Sequence, residues 1–184
     1  MANTTATSPG TMAAVNPGWS TWINPSNAKV EDSSFASNST LTFLGTDIAD
    51  ASARIVKSDG AYGTTNKSIE GSWSVTNAYV SYGGSADLWG ETWTPADINN
   101  SNFGFALNVA ASGYKTSNYL LATNFGFAIP AGATINGILV EVKKYQSGGD
   151  AFVDHIRITV YYTETNAGTI TGVQSIQGVQ SITL

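Results

Sequence analysis

The chain has 184 residues, of which 42% are hydrophobic and only 11% are charged, and its formal net charge is −5. The hydrophobic fraction predicts a packed globule. The negative charge and the lack of a Lys/Arg cluster exclude a nucleic-acid interface, which needs several cations on one face. With no cysteine and a single histidine, disulfides and zinc sites built from several Cys or His ligands are also excluded, and we expect no cofactor.

The first part of the chain, residues 1–18, is poor in large apolar side chains and predicts an extended N-terminal arm. It lacks the basic start and the apolar run of a signal peptide. No stretch of the sequence approaches the ~18 apolar residues of a membrane span, so we expect no membrane partner. A charge-poor protein without an export signal is typical of a phage virion component, because virions assemble in the host cytoplasm and leave by lysis. A truncated module of a secreted protein would have the same features.

Residues 19–165 show repeated alternation of apolar and polar residues, which is the pattern of half-buried strands. The apolar positions of these runs are Leu41 and Phe43; Phe103, Phe105, Leu107 and Val109; Ile138, Val140 and Val142; and Ile156, Ile158, Val160 and Tyr162. Glycine-containing turn signals, such as those at residues 58–60 and 147–149, separate the runs. We therefore predict an all-β, antiparallel, jelly-roll-like β-sandwich.

One short helical turn is predicted between these strands, at residues 94–99. Thr94 is suited to the N-cap and Pro95 to the first helical position. Asp97 favours the positive end of the helix dipole. No other window carries a capped apolar stripe of helical period.

The end of the chain, residues 166–184, changes character and contains a six-residue repeat. Its apolar positions recur every three residues, at Ile170, Val173, Ile176, Val179 and Ile182. Period three fits neither a strand nor an α-helix, and such a row cannot bury itself. We expect this tail to pack on a neighbouring subunit or on the domain body. The period leads to the hypothesis of a homo-oligomer with three-fold symmetry.

Catalytic residues are not expected. The only histidine, His155, lies in a predicted strand and is interpreted as a surface or inter-sheet residue, and no nucleophile elbow is present. Asp87, Glu91 and Asp97 are crowded near two tryptophans, but a turn around a core tryptophan explains this stretch better than a glycosidase pair. Loop carboxylate pairs, Asp47 with Asp50 and Glu31 with Asp32, leave a structural calcium open as an alternative.

Glycan binding is the main functional alternative. Sandwich domains bind sugars by stacking exposed aromatic rings on them, and several aromatics lie within a short span of this chain. The candidates are Trp73, Tyr82, Trp89 and Trp93. The competing interpretation is that these rings fill the core of the sandwich.

Three groups of motifs stand out in the body of the chain. They are Asn124–Pro130 with Gly132–Val142, Tyr82–Gly90 with Thr92–Ile98, and Asp154–Tyr162. Together they resemble a broad family of β-sandwich domains found in phage virion proteins and bacterial surface proteins, over roughly Trp22 to Tyr162. The first two groups stand in the reverse of the family order, which indicates a rearranged or permuted relative. The resemblance implies a jelly-roll-like sandwich in a virion or surface protein and transfers no catalytic residue.

These features together predict a non-enzymatic structural protein of a bacteriophage virion, as a capsid decoration, head-fibre or tail-associated component. It would act through contacts with other virion proteins. The alternative is a surface module that binds carbohydrate through an aromatic cluster.

Overall fold

Ten strands, a 3-10 helix and a short α-helix are found in the computed structural model, which describes residues 2–15, 20–39, 47–111 and 115–164. The strands are β1 (Ala2–Asn3), β2 (Thr11–Val15), β3 (Ala36–Asn38), β4 (Ile48–Val56), β5 (Ala78–Gly84), β6 (Gly104–Ala111), β7 (Lys115–Thr116), β8 (Tyr119–Thr123), β9 (Thr134–Ser147) and β10 (Asp150–Thr163). The 3-10 helix spans Pro25–Lys29, and α1 spans Pro95–Asn99.

The strands form two antiparallel sheets that pack face to face around one apolar core. Sheet A has the order β1-β10-β9-β5, and β3 also pairs with β10. Sheet B has the order β2-β8-β6-β4, and β7 also pairs with β6. The prediction of an all-β antiparallel sandwich is confirmed.

The hairpin of β9 and β10 is the longest element of the fold, with 14 residues in each strand. Ile138, Val140 and Val142 point into the core and are fully buried. Glu141 and Lys143 alternate with them on the outer face of sheet A, as the period-two pattern predicts. A register shift between Val153 and His155 interrupts the pairing of β10 with β9 and indicates a β-bulge there.

Strand β6 follows the predicted run from Phe103 to Val109 but is buried on both faces, not on one. Phe105, Leu107 and Val109 are fully buried, and so is Ala106 between them. Strand β6 lies between β8 and β4 in sheet B. The residues of its second face include Ala106 and Asn108, which are small or neutral and are buried.

Residues 2–15 do not form a separate arm. Ala2 and Asn3 pair with the end of β10, Thr7 bridges to Ile158, and Thr11–Val15 add an edge strand to β8 of the other sheet. The segment thus crosses from one sheet to the other. Backbone hydrogen bonds hold it where it has few large apolar side chains to bury.

The predicted helical turn is confirmed as α1. The Thr94 hydroxyl accepts from the N–H of Asp97, and the Asp97 carboxylate accepts from the N–H of Thr94, which together form a capping box. Two other predictions lie outside the described residues. They concern the strand around Leu41 and Phe43 and the period-three tail with Ile170, Val173, Ile176, Val179 and Ile182.

Candidate functional site

The four aromatic residues expected to bind glycans are all buried. The exposed fractions are 6% for Trp73, 2% for Tyr82, 0% for Trp89 and 8% for Trp93. A sugar needs a free ring face, and these rings have none. The burial of these four rings favours the core interpretation over the glycan-binding one.

The indole N–H groups of the three tryptophans are bonded inside the protein. Trp89 donates to the Ile138 carbonyl at 3.0 Å, and Trp93 donates to the Leu88 carbonyl at 2.9 Å. Trp89 adopts a left-handed φ of 59°, which is unfavourable for a bulky residue. The Asp87 carboxylate accepts the Trp89 N–H at 2.8 Å and holds this turn. The Asp-Leu-Trp-Gly motif therefore anchors a tryptophan in the core.

The crowded carboxylates near these tryptophans also have structural partners. Asp87 forms an ion pair with Lys67 at 2.7 Å, and Asp97 caps α1. Glu91 accepts from the N–H of Thr64 at 3.2 Å. Hydrogen bonds hold the pKa of Asp97 below its usual value, since Thr94 and Ser58 both donate to it. The Asp97 carboxylate must be ionised to accept the hydrogen bonds of the cap. Asp97 is therefore unsuited to donate a proton for glycoside cleavage.

A buried polar cluster joins the two sheets and was not predicted. It consists of Asp50 on β4, Trp73 in the following loop, Tyr82 on β5 and Lys144 on β9; we call it the inter-sheet cluster. The Asp50 carboxylate accepts from the Lys144 ammonium at 2.5 Å and from the Trp73 indole at 2.7 Å through one oxygen. Its other oxygen accepts from the Tyr82 hydroxyl at 2.8 Å and from the N–H of Ile69 at 3.1 Å.

Burial shifts the pKa values of two members of the inter-sheet cluster, Lys144 and Tyr82. The Lys144 side chain is 4% exposed and that of Asp50 is fully buried. Removal from water lowers the pKa of Lys144, although the neighbouring Asp50 carboxylate opposes this shift. Burial, together with the Asp50 charge, raises the pKa of the Tyr82 hydroxyl far above its ordinary value. The Lys144 ammonium also lies 4.2 Å from the centre of the Trp73 ring, within the range of a cation–π contact.

A cleft of about 100 Å³ opens beside this cluster, at the side of the sandwich between β4 and β5. Ile69, Trp73 and Val80 supply apolar walls, and Asp50 and Lys144 lie at its polar end. All of the Asp50 contacts described above come from protein donors. The expectation that Asp50 contributes to a calcium site is therefore not supported by its surroundings, since a cation would have to displace Lys144.

A second polar network lies on the outer face of sheet A, and its centre is the histidine that the sequence singled out. We call it the outer-face network; it comprises Ser8, Glu31, Tyr79, Lys143 and His155. His155 is 7% exposed. Its Nε2 lies 2.7 Å from the Ser8 hydroxyl and its Nδ1 lies 2.8 Å from the Tyr79 hydroxyl. The Tyr79 hydroxyl donates to Glu31 at 2.9 Å, and Lys143 pairs with Glu31 at 2.6 Å.

The directions of these hydrogen bonds follow from one ionised group. Glu31 accepts only, so the single proton of the Tyr79 hydroxyl is directed to it. The Tyr79 oxygen then accepts from Nδ1–H of His155, and Nε2 accepts from the hydroxyl of Ser8. Burial lowers the pKa of His155, which favours the neutral form of the ring that these hydrogen bonds require. The pKa of Glu31 is also lowered, first by the Lys143 hydrogen bond.

The neighbouring charges hold the network in place. Asp154, which is fully buried, pairs with Lys143 at 3.1 Å and accepts from the Asn77 amide at 3.0 Å. The Arg157 guanidinium lies 4.0 Å from the centre of the Tyr79 ring and pairs with Glu141 at 2.8 Å. Burial and the Glu31 hydrogen bond raise the pKa of Tyr79 to about 12. The network therefore fixes the segment at Ser8 and the loop at Glu31 to sheet A.

Three aromatic rings pack together on the same outer face, near the β9–β10 turn. Tyr145 and Phe152 are stacked with their centres 4.8 Å apart, and Phe35 meets the Tyr145 ring edge-on at 5.3 Å. All three are half-buried. No aromatic of this group was predicted to form a site, although the period-two alternation places Tyr145 and Lys143 on one face.

The fold and these clusters define an all-β sandwich domain. Within the described ranges, no helix has the length and apolarity needed to cross a membrane. The same ranges contain no group of three or more His, Asp or Glu side chains arranged to hold a metal ion. Comparison with protein-family models, curated proteins and solved structures gives no match.

Proposed function

We propose that this chain is a non-enzymatic structural protein of a bacteriophage virion, placed on the capsid, a head fibre or the tail. It works by docking to other virion proteins and to copies of itself. The observation that carries the proposal is the row of five apolar residues at period three, Ile170, Val173, Ile176, Val179 and Ile182, that follows the last strand of the sandwich. Such a row is stable only when another surface covers it.

The sandwich supports this role because it is a rigid body to which a docking segment can be attached. The N-terminal segment pairs with both sheets, and the inter-sheet cluster links β4 to β5 and β9. Strand β10 ends at Thr163, close in sequence to the tail of residues 166–184. A docking segment on a rigid strand loses less entropy on binding than one on a flexible linker.

A jelly-roll-like arrangement is part of the proposal. In its support, the chain crosses between sheets A and B at most of its connections, including those from β1 to β2, from β4 to β5, from β5 to β6 and from β8 to β9. The virion setting is supported by the resemblance of the Tyr82–Gly90 and Asp154–Tyr162 motifs to phage sandwich domains and by the charge-poor composition. Three-fold symmetry follows from the period of the tail.

The test measures molar mass by light scattering for the full chain and for a chain that ends at Thr165. We expect a defined oligomer whose molar mass falls when the tail is removed. A full-length variant with Val173, Ile176 and Val179 replaced by Ser should show the same fall in molar mass. The matched control replaces the polar neighbours Gln174, Gln177 and Gln180 by Ser and should keep the oligomer. Equal masses for all four proteins would overturn the role of the tail.

Carbohydrate recognition is a second candidate function, now on different residues. The observation that favours it is the half-buried group of Phe35, Tyr145 and Phe152, which lies beside the polar outer-face network. Aromatic rings next to hydrogen-bonding groups suit sugar rings. On a glycan array, Tyr145→Ala should lose binding that Tyr161→Ala, a change farther along the same hairpin, retains. An array with no bound glycan would eliminate this candidate.

A further inference from the structure

Strand β5 forms an open edge of sheet A. It pairs with β9 on one side only. Among the described residues outside β9, only Asp87 forms a backbone hydrogen bond with β5. Its N–H donates to the carbonyl of Gly84, the last residue of the strand. In an antiparallel pair, half of the backbone groups of an edge strand point away from its neighbour. Those of β5 therefore point outward with no protein partner among the described residues.

Two other edges of the sandwich are covered. The edge of β10 is occupied by β1, Thr7 and β3. The edge of β4 receives hydrogen bonds from the loop that follows it, as from Gly63 to Ile55 at 2.8 Å and from Lys67 to Ala53 at 2.8 Å. Strand β5 therefore differs from β10 and β4, whose second sides are covered by other described segments.

The sequence of β5 has none of the features that keep an exposed edge from pairing. Soluble proteins protect such edges with lysine or other charges, proline or a bulge. Residues 78–84 contain no charged residue and no proline, and their pairing with β9 is continuous. Ala78 and Ser81 are exposed and Val80 is half-buried. The backbone turns to a positive φ of 76° only at Gly83, so the regular edge is Ala78–Tyr82.

We propose that β5 is a self-association site, where a second copy of this chain adds its own β5 antiparallel and extends sheet A across a two-fold axis. This contact is separate from the tail and stands whether or not the tail assembles as proposed above. The pairing is isologous, so each copy contributes the same residues. With the axis at Val80, Ala78 faces Tyr82 of the second copy and Tyr79 faces its Ser81.

Charge favours this register over its neighbour. Lys143 lies beside Tyr79 and Glu141 beside Ser81 in the β5–β9 ladder. When the two-fold axis passes through Val80, four residues form a row across the outer face. They are Lys143 and Tyr79 of one copy, followed by Ser81 and Glu141 of the second copy. The two ends of this row carry opposite charges. Centring the pair on Ser81 instead places Glu141 of both copies at the two ends of one row, where charges of the same sign repel each other.

The inner side of the same edge is apolar. Val80 and Ala78 line the cleft of about 100 Å³ together with Ile69, and Ile69 is 43% exposed. A paired second copy sets Val80 against Val80 beside both clefts. Val75, at 77% the most exposed large apolar residue described, precedes β5 by three residues. Covering this apolar edge supplies the driving force for association.

The test uses the fact that the chain contains no cysteine. In Val80→Cys the two thiols of a pair face each other across the axis, where directly opposite Cβ atoms are about 4.5–5.5 Å apart. Under mild oxidation, we expect Val80→Cys to form a covalent dimer at least about tenfold faster than Val30→Cys, whose side chain is exposed and lies outside β5. Both variants are compared as full chains and as chains ending at Thr165.

The outcomes separate this contact from the tail. Preferential cross-linking of Val80→Cys in both lengths supports edge pairing. Equal rates for the two cysteine variants, with a light-scattering mass that depends only on the tail, would overturn edge pairing and leave the tail role intact. As a second measurement, Val80→Lys should abolish the dimer of the shortened chain while Val30→Lys keeps it. Circular dichroism is measured for each variant to check that it is folded.

Discussion

Lys144 and Asp50 lie in different sheets, yet the Lys144 ammonium approaches the Asp50 carboxylate to 2.5 Å with both side chains almost fully buried. This ion pair links sheet B to sheet A beside the cleft between β4 and β5. Removing one member of a buried pair leaves the other charge without its partner, which costs more than the pair itself contributes.

We predict that Lys144→Met lowers the free energy of unfolding by about 3 kcal/mol, measured by urea denaturation, because Asp50 stays buried without its cation. The control is Lys67→Met. Lys67 pairs with Asp87, but both side chains are partly exposed, and such pairs contribute about 0–1 kcal/mol. Similar losses of unfolding free energy in the two variants would show that the buried Lys144–Asp50 pair contributes no more to stability than the partly exposed Lys67–Asp87 pair.

His155 is predicted to make stability depend on pH. Burial lowers its pKa in the folded state below 6.5, so the unfolded chain binds the proton more readily. Stability is therefore present above the unfolded pKa and is lost as the pH falls below about 6.5. Glu31 and Asp154 oppose the shift, whereas Arg157 and Lys143 reinforce it.

This dependence is measured by urea denaturation between pH 7.5 and 5.5. His155 is the only histidine, and the lowered pKa of Glu31 moves the titration of that carboxyl below this window. In His155→Gln, the fall in unfolding free energy over the window should become shallower. An unchanged slope in the variant would mean that other groups cause it.

Gly137 is predicted to tolerate no side chain. A Cβ at this position would lie 2.3 Å from the backbone carbon of Ser85 and 2.4 Å from the carbonyl oxygen of Gly84, and backbone cannot move aside easily. Gly137→Ala should cost about 1–3 kcal/mol in thermal or urea unfolding. Gly84→Ala is the control, because its Cβ would meet no atom within 4 Å. Equal stability of the two variants would show that the backbone around Gly137 shifts to accommodate the added methyl group.

The capping box of α1 is predicted to stabilise its loop. Thr94→Ala removes the hydroxyl that accepts the Asp97 N–H and should lower the unfolding free energy by about 1 kcal/mol. Thr92→Ala, an exposed change two residues earlier, should stay within about 0.5 kcal/mol of the parent. A loss of the same size in Thr92→Ala would assign the effect to the loop and not to the cap.

Local patterns in the sequence predicted β6, the β9–β10 hairpin and α1. Alternation with period two predicted the β9–β10 hairpin, because side chains on a strand point to opposite faces in turn. The cap at Thr94 was predictable because its partner, Asp97, is three residues away. Neither inference needed to know what packs against these elements.

Tertiary structure alone decided which groups meet and which are covered. Ser8 and His155 are separated by 147 positions and Asp50 and Lys144 by 94, so only the order and register of the sheets bring them together. The same holds for burial. Trp89 and Tyr145 are both aromatic residues in a β-rich sequence, but Trp89 lies between the sheets and Tyr145 on the outer face. An aromatic ring favours leaving water wherever a surface can cover it, and the sequence alone does not show where that surface lies.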